Sequence, residues 1–396
     1  MTIHDHRAAP VASRERILTP DLVRGAMLLF IALANAGNVA FAGQPGLEPD
    51  PHSLPGRILN ICMVLFVDSR AYPVFAVMFG YGLVQLAAHC TVRGVAPRRI
   101  LLRRNAWLVV FGAVHAVLLY FGDFLGAYGI VGLVATVLLL PRSERFHRLV
   151  LVVWAIQTAY LVLTASSATG LHGGDATLVN SPNPSLAATT YVGSLVHRLQ
   201  EWPVHTLTVL PFIVVVWLGM WAAKRQILEH PERHRRLLVS TATVALTITF
   251  LGALPYALVA GGLVHLDQGS VELVARLHAV SGEYGGPGYV ALFALVATRL
   301  TRRARSAGRP QNPVVKAVAA LGRNSLSGYL FQSVAWMLLL SPLAWQLTRY
   351  GDRALVAAAV AVAVWATTVF VAWCLDSAGR RGPAEVALRR LVYGRR

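Results

Sequence analysis

The sequence predicts an all-α integral membrane protein of about ten transmembrane helices with both termini cytoplasmic, and three observations carry that reading. Of 396 residues, 56% are apolar and only 14% charged, with a mean hydropathy of +0.55, whereas a soluble domain carries about 25% charge. Apolar stretches of spanning length recur from one end of the chain to the other, which leaves no length for a separate water-soluble domain. Lysine and arginine gather at the ends of those stretches, the signature of membrane topology.

The expected spans, in order, are 21–42, 72–88, 104–121, 124–140, 147–168, 205–223, 237–262, 289–297 with its flanks, 324–340 and 354–375. With a cytoplasmic N-terminus, thirty of the 36 Lys and Arg residues fall on the inner side, leaving only Arg57, Arg70, Arg198, Arg276, Arg349 and Arg353 outside. That asymmetry supports ten crossings. The run 57–67 is apolar but too short to cross alone, so it reads as a re-entrant or interfacial piece. The first apolar run resembles a signal-peptide core followed by small residues, but Asp21 and Arg24 ahead of it favour an uncleaved span. The expected organisation is a cytoplasmic segment at 1–20, one membrane domain at 21–376 and a basic cytoplasmic tail at 377–396, in the plasma membrane. Two longer outer connections, 169–203 and 263–288, are rich in Gly, Ser, Pro and Asn and suit a lid or vestibule.

The net charge of +18 follows from this topology rather than from nucleic-acid binding, and the partner it implies is the lipid bilayer. Cys62, Cys90 and Cys374 are scattered without CxxC spacing, which points to packed thiols and not to a metal site. No Walker loop, GxGxxG, HExxH or GxSxG is present, so nothing supports an ATPase, a dinucleotide enzyme, a zinc protease or a serine hydrolase of those motif classes. No permanently bound cofactor is expected.

Ionisable and polar groups inside spans are costly and mark functional candidates. Asp21 and Arg24 are three apart, on one helical face, and can pair; a structural ion pair and a ligand role both fit. From Arg104 to His115 is eleven residues, three turns plus about 20°, so the two share a stripe separated by about 16 Å of rise. An always-charged guanidinium at the inner face suits phosphate, and a mid-membrane histidine suits proton transfer; the alternative is a snorkelling arginine and a histidine bonded to a neighbouring helix. Asp123, in the turn between two spans, can orient His115 only if the helix unwinds near Gly122 or water bridges them; otherwise it is a turn residue. Arg323 and Asn324 open a span that also carries Ser327, Tyr329, Gln332 and Ser333, groups that equally serve as helix-packing contacts. Asp68 and Arg70 are expected to pair at the outer surface.

The segments PDLVRGAMLLFIALAN, SRAYPVFAVMFGYGL, RRNAWLVVFGAVHAVLLYFGDFLGAYGIVG, GRNSLSGYLFQS and GPAEVALRRLVYG occur in the order seen in the bacterial YeiB-like family (domain of unknown function 418), which the chain resembles over nearly its whole length. That family is similar in turn to the transmembrane acyltransferases, including sugar and polysaccharide O-acyltransferases and the lysosomal heparan glucosaminide N-acetyltransferase. The shared features are Asp21, Arg24 and Gly25, like an LDxxRG opening with Pro20 in place of the leucine, and an arginine separated from a histidine by ten residues, Arg104 and His115. The resemblance implies an acyl-CoA donor held by Arg104, with Arg24 and Asp21 near it. It implies transfer at His115, oriented by Asp123, to a hydroxyl or amine of a small-molecule, sugar or lipid acceptor. The rival reading is a transporter or export factor whose polar groups line a path, although no inverted repeat and no paired broken helices are evident in the sequence. A scaffold would instead tolerate substitution of both residues.

Overall fold

The structure is a computed structural model that describes residues 18–49, 51–176, 178, 181–307 and 312–394. The expected N-terminal segment up to residue 17, with Arg7, Arg14 and Arg16, lies outside the described residues, as do Arg309, Arg395 and Arg396. The chain is built of α1 (Leu18–Phe41), α2 (Leu54–Phe66), α3 (Ala71–Val92), α4 (Pro97–Leu118), α5 (Phe124–Val134), α6 (Glu144–His147) and α7 (Leu149–Ser167). It continues with α8 (Pro184–Ala187), α9 (Tyr191–Val209), α10 (Ile213–Lys224), α11 (Arg235–Ala260), α12 (Gln268–Gly282) and α13 (Gly285–Ser306). The last helices are α14 (Pro313–Arg323), α15 (Ser325–Leu339), α16 (Arg353–Ser377) and α17 (Pro383–Tyr393). A two-residue antiparallel ladder joins β1 (Gly43–Gln44) to β2 (Ser181–Pro182).

Among the described residues, seven helical stretches are long and apolar enough to cross a membrane: Leu18–Phe41, Leu54–Val92, Pro97–Leu118, Glu144–Gly170, Tyr191–Lys224, Arg235–Ala260 and Arg353–Ser377. Three expected spans are not among these seven, two for length and one for its charge. The span expected at 124–140 is a shorter apolar helix, Phe124–Leu139, whose last turn widens to π geometry at Ala135–Leu139. The one expected at 289–297 lies within α13, which is 22 residues long but carries Arg299, Arg302 and Arg303 in its second half and follows a break at Glu283–Tyr284 after α12. That expected at 324–340 is α15, only 15 residues long and set off from α14 by a break at Asn324. At Asn324 the side chain competes for backbone groups, donating to the Ala320 carbonyl and accepting from the Gly382 N–H, which ends one helix and starts the next.

The run at 57–67 forms α2, which continues into α3 through a break at 67–70 and packs along α11. Asn60 donates to the Ala260 carbonyl, and the Phe66 ring meets Phe250 edge-on. Paired broken helices, which the sequence did not reveal, are therefore present: the 67–70 break faces the α12–α13 break, with Ser69 against Gly282 and Arg70 against Gly285.

Small residues allow the closest helix contacts. A Cβ on Gly25 would overlap the Val318 carbonyl oxygen, and one on Gly322 would overlap that of Asp21, so α1 and α14 meet backbone to backbone. Gly80 and Gly219 do the same for α3 and α10 against Val216 and Val77. Such contacts hold helices together where lipid removes any hydrophobic drive between them. A continuous apolar core runs through α1, α3, α5, α10 and α13. Large apolar side chains stand outward on α7 and α16, among them Ile156, Leu163 and Phe370, as a lipid-facing surface requires.

Candidate functional site

The α4–α5 corner is built by local chemistry. Helix α4 stops at Leu118, three residues before the expected end, and Tyr120–Gly122 leave helical geometry. Asp123 then serves as N-cap of α5, its Oδ2 accepting the Gly126 N–H at 2.7 Å, which satisfies one of the donors a helix start leaves unpaired. The other oxygen, Oδ1, lies 2.9 Å from His115 Nδ1. The condition set by the sequence, unwinding near Gly122, is met, and the bond is direct.

The second imidazole nitrogen, Nε2, lies 2.8 Å from the Ser333 hydroxyl of α15. A carboxylate only accepts, so Nδ1 carries the proton toward Asp123 and Nε2 is left to accept the Ser333 O–H. Asp123, His115 and Ser333 thus form a chain drawn from three elements, all fully buried. The Tyr329 ring lies 5.0 Å from the imidazole, and its hydroxyl accepts the Phe124 N–H at 3.4 Å. From the sequence alone Ser333 reads only as a packing group, since its partner is 218 positions away.

Helix α9 covers this corner. The His205 ring meets Phe121 and Phe124 edge-on at 5.9 and 5.1 Å, and Trp202 packs on Gly126. Trp202 Nε1, His205 Nε2, Thr206 Oγ1 and, on α15, Trp336 Nε1 are buried with no hydrogen-bond partner among the described residues. Buried polar groups are ordinarily paired; these four lie on α9 and α15, the helices that flank the corner. None of these four was singled out from the sequence, where each reads as ordinary interfacial aromatic or hydroxyl content.

The cationic candidates gather at the other end of α4. Arg104 stacks over Phe79 at 5.7 Å, and the Arg24 guanidinium lies against Gly82, so the two arginines meet one face of α3. Asp21 is 3.9 Å from Arg24 and 3.6 Å from Arg323, which also makes a two-pronged pair with Asp376 at 3.1 and 2.7 Å. Asn324 is the hinge described above. Gln332 falls between the two ends, donating weakly to the Leu28 carbonyl at 3.4 Å while its Oε1 is unpartnered. Asp21, Arg24, Arg104 and Arg323 are therefore brought together, and His115 and Asp123 form a separate group about three helical turns along α4.

A third polar group sits where the two breaks meet. Arg70 is fully buried, not at an outer surface as expected. It donates to the Asp68 carbonyl at 2.6 Å, to the Thr249 carbonyl at 3.1 Å and to His278 Nδ1 at 2.9 Å. His278 Nε2 bonds Asp68 Oδ2 at 2.9 Å. His278 lies far along the chain and was not recognised as a partner from the sequence.

Seven apolar spanning stretches around buried charged groups define a multi-pass α-helical membrane protein. Residues 222–395 match the model of the family described as "Protein of unknown function (DUF418)". The chain is 22% identical to "Uncharacterized protein YxaH" of Bacillus subtilis (strain 168) over 355 residues, 82% of this chain and 81% of that one. It is 33% identical to "Uncharacterized protein YeiB" of Escherichia coli (strain K12) over 30% of each chain. It is also 35% identical to an "Uncharacterized 39.9 kDa protein in amylase 3'region" of Bacillus acidopullulyticus over 31% of this chain and 34% of that one. The match to the DUF418 family thus lies in the C-terminal part of the chain, and the relatives it is similar to, YxaH and YeiB among them, are uncharacterized proteins. Ser333, Tyr329 and α17 lie inside the segment matched by the family model; Arg104, His115 and Asp123 precede it.

Proposed function

We propose that this protein is a transmembrane acyltransferase of the plasma membrane that moves an acyl group from cytoplasmic acyl-CoA to a hydroxyl or amine acceptor. The observation that carries the reading is the doubly bonded imidazole of His115, held by Asp123 on one side and facing a hydroxyl on the other. Such an arrangement fixes the tautomer and stabilises the imidazolium formed when the ring takes a proton. Arg104, about 16 Å away along α4, and Arg24 of α1, on the same face of α3, hold the donor's phosphates, and the extended pantetheine arm bridges the gap. The accompanying topology is ten passes with both termini cytoplasmic. In it α2–α3, α9–α10, α12–α13 and α14–α15 each cross as one interrupted span, and the charge asymmetry sets the orientation.

The test is binding and turnover of acetyl-CoA and longer acyl-CoAs by the purified protein in detergent. Saturable binding should be lost in Arg104→Ala. Turnover should fall by about 10²–10⁴-fold or more in His115→Ala, which removes the general base. A folded wild-type protein that neither binds nor consumes acyl-CoA overturns the proposal.

A second reading, a transporter, is favoured by one specific observation: the facing breaks at 67–70 and Glu283–Tyr284 with Asp68, Arg70 and His278 between them. Facing interrupted helices with buried charge are how many transporters build a midplane site. Solute movement into proteoliposomes that needs no acyl-CoA and is lost in His278→Ala supports this reading over transfer chemistry.

A further inference from the structure

We propose that Ser333 is the residue that carries the acyl group, so that the reaction passes through an O-acyl-serine on α15; this rests on the acyltransferase reading above. The geometry is that of a Ser-His-carboxylate relay. The Ser333 Oγ is 2.8 Å from His115 Nε2, and His115 Nδ1 is 2.9 Å from Asp123 Oδ1. These distances lie within the hydrogen-bond reach required of a nucleophile and its base. Relays of this kind are recognised by geometry and roles rather than by sequence order.

A histidine that carried the acyl group itself would have to present a free ring nitrogen to the donor. Here both nitrogens are engaged, and the group standing next to the basic one is a hydroxyl. Asp123 is in turn held by the Gly126 N–H at 2.7 Å, so the carboxylate cannot swing away without uncapping α5.

The balanced steps are these. His115 Nε2 takes the Ser333 hydroxyl proton as Oγ bonds to the thioester carbonyl carbon of the acyl-CoA. The carbonyl becomes an oxyanion, the C–S bond breaks, and the departing CoA sulfur takes the proton from His115. In the second half the acceptor's hydroxyl or amine gives its proton to His115 and attacks the serine ester. The Ser333 C–O bond to the acyl carbon then breaks, and Oγ recovers the proton from His115. No other reactant is consumed.

The orphan donors fit this chemistry. Trp336 lies three residues beyond Ser333, on the same face of α15, and its buried Nε1–H has no partner among the described residues; Trp202 Nε1, beside the Asp123 turn, is in the same state. Fixed N–H donors in a dry site are what an oxyanion requires.

The experiment is incubation of the full-length protein in detergent with radiolabelled acetyl-CoA and no acceptor, followed by peptide mapping. The expected result is a burst of free CoA equal to the protein present and one acetyl group on the peptide containing Ser333. Ser333→Ala should lose both the label and at least about 10³-fold of the turnover, and Ser333→Cys should trap a hydroxylamine-sensitive thioester at the same position. Label on His115, or turnover retained in Ser333→Ala, overturns the acyl-serine while leaving the acyltransferase reading intact. If Ser333→Ala does not fold, a folded Ser333→Cys variant without label at that position overturns it equally. A wild-type protein that consumes no acyl-CoA removes the reading on which the proposal rests.

Discussion

Asp123 bonds His115 Nδ1 with one carboxylate oxygen and caps α5 with the other, so a single side chain ties the chemistry of α4 to the start of the next helix. Asn is as good an N-cap as Asp but can present an N–H to the imidazole, reversing its tautomer. Asp123→Asn should therefore keep the melting temperature within the shift expected of about 0.5 kcal/mol while acyl-CoA turnover falls about 10⁴-fold, the size seen when the same change is made in a Ser-His-Asp relay. A variant that retains turnover would show that Asp123 is only a cap.

The contact between α1 and α14 has no room for a side chain. Gly25→Ala places a methyl against the Val318 carbonyl oxygen and Gly322→Ala one against that of Asp21, and both obstructions are backbone, which cannot rotate away. Each should destabilise by about 1–3 kcal/mol, as overpacking does. In Gly170→Ala, where nothing lies within 4 Å, the change should stay within about 0.5 kcal/mol. Thermal melting in detergent of the three variants separates close packing from ordinary helix content.

What the sequence could reveal follows from how far apart the interacting groups lie. Helical periodicity put Arg104 and His115 on one stripe, and the structure keeps them on the same helix, because that relation depends on eleven residues of regular geometry. The Asp123 bond depended on where α4 stops, and Gly122 beside an N-capping Asp was the local signal for it. Ser333 and His278 find their partners across more than 200 positions, and no periodicity within a span encodes which helices become neighbours. The break at 67–70 was hidden for a related reason: Asp68, Ser69 and Arg70 read locally as an outer turn ahead of a span, and only their distant partner His278 shows that Arg70 is buried.

Acid should act on the contact between the start of α2 and the start of α16. The Ser53 hydroxyl and the Leu355 N–H both donate to Asp352 and hold its carboxyl below the usual value of 3.8. A carboxylate depressed in the folded state contributes stability that is fully present above its unfolded value and is lost as the pH falls through the folded one. Asp352→Asn keeps the cap but not the charge. The melting difference between wild type and this variant should therefore hold from about pH 6 to pH 4 and vanish as the pH drops further. A difference that does not change with pH would locate the stabilisation in the cap alone.

One carboxylate makes most of the polar contacts between the C-terminal helix α17 and α15, beside the Ala384 N–H that donates to the Ser327 hydroxyl. Glu385 accepts the Leu326 N–H at 2.8 Å, the Ser327 N–H at 3.1 Å and the Ser327 hydroxyl, filling the unpaired donors at the start of α15 with a negative charge where the helix dipole favours one. Glu385→Ala leaves those N–H groups without their acceptor, which costs about 1–3 kcal/mol when the site is shielded from water. Because the link from α16 to α17 is short, at 378–382, the loosened helix should be cut there by trypsin at Arg380 or Arg381 faster than in wild type. Glu385→Gln, which keeps one acceptor, should fall between the two. Equal cleavage of all three proteins would mean that the packing of Leu388 and Val392 against Cys90 and Ile100, and not the carboxylate, holds α17 in place.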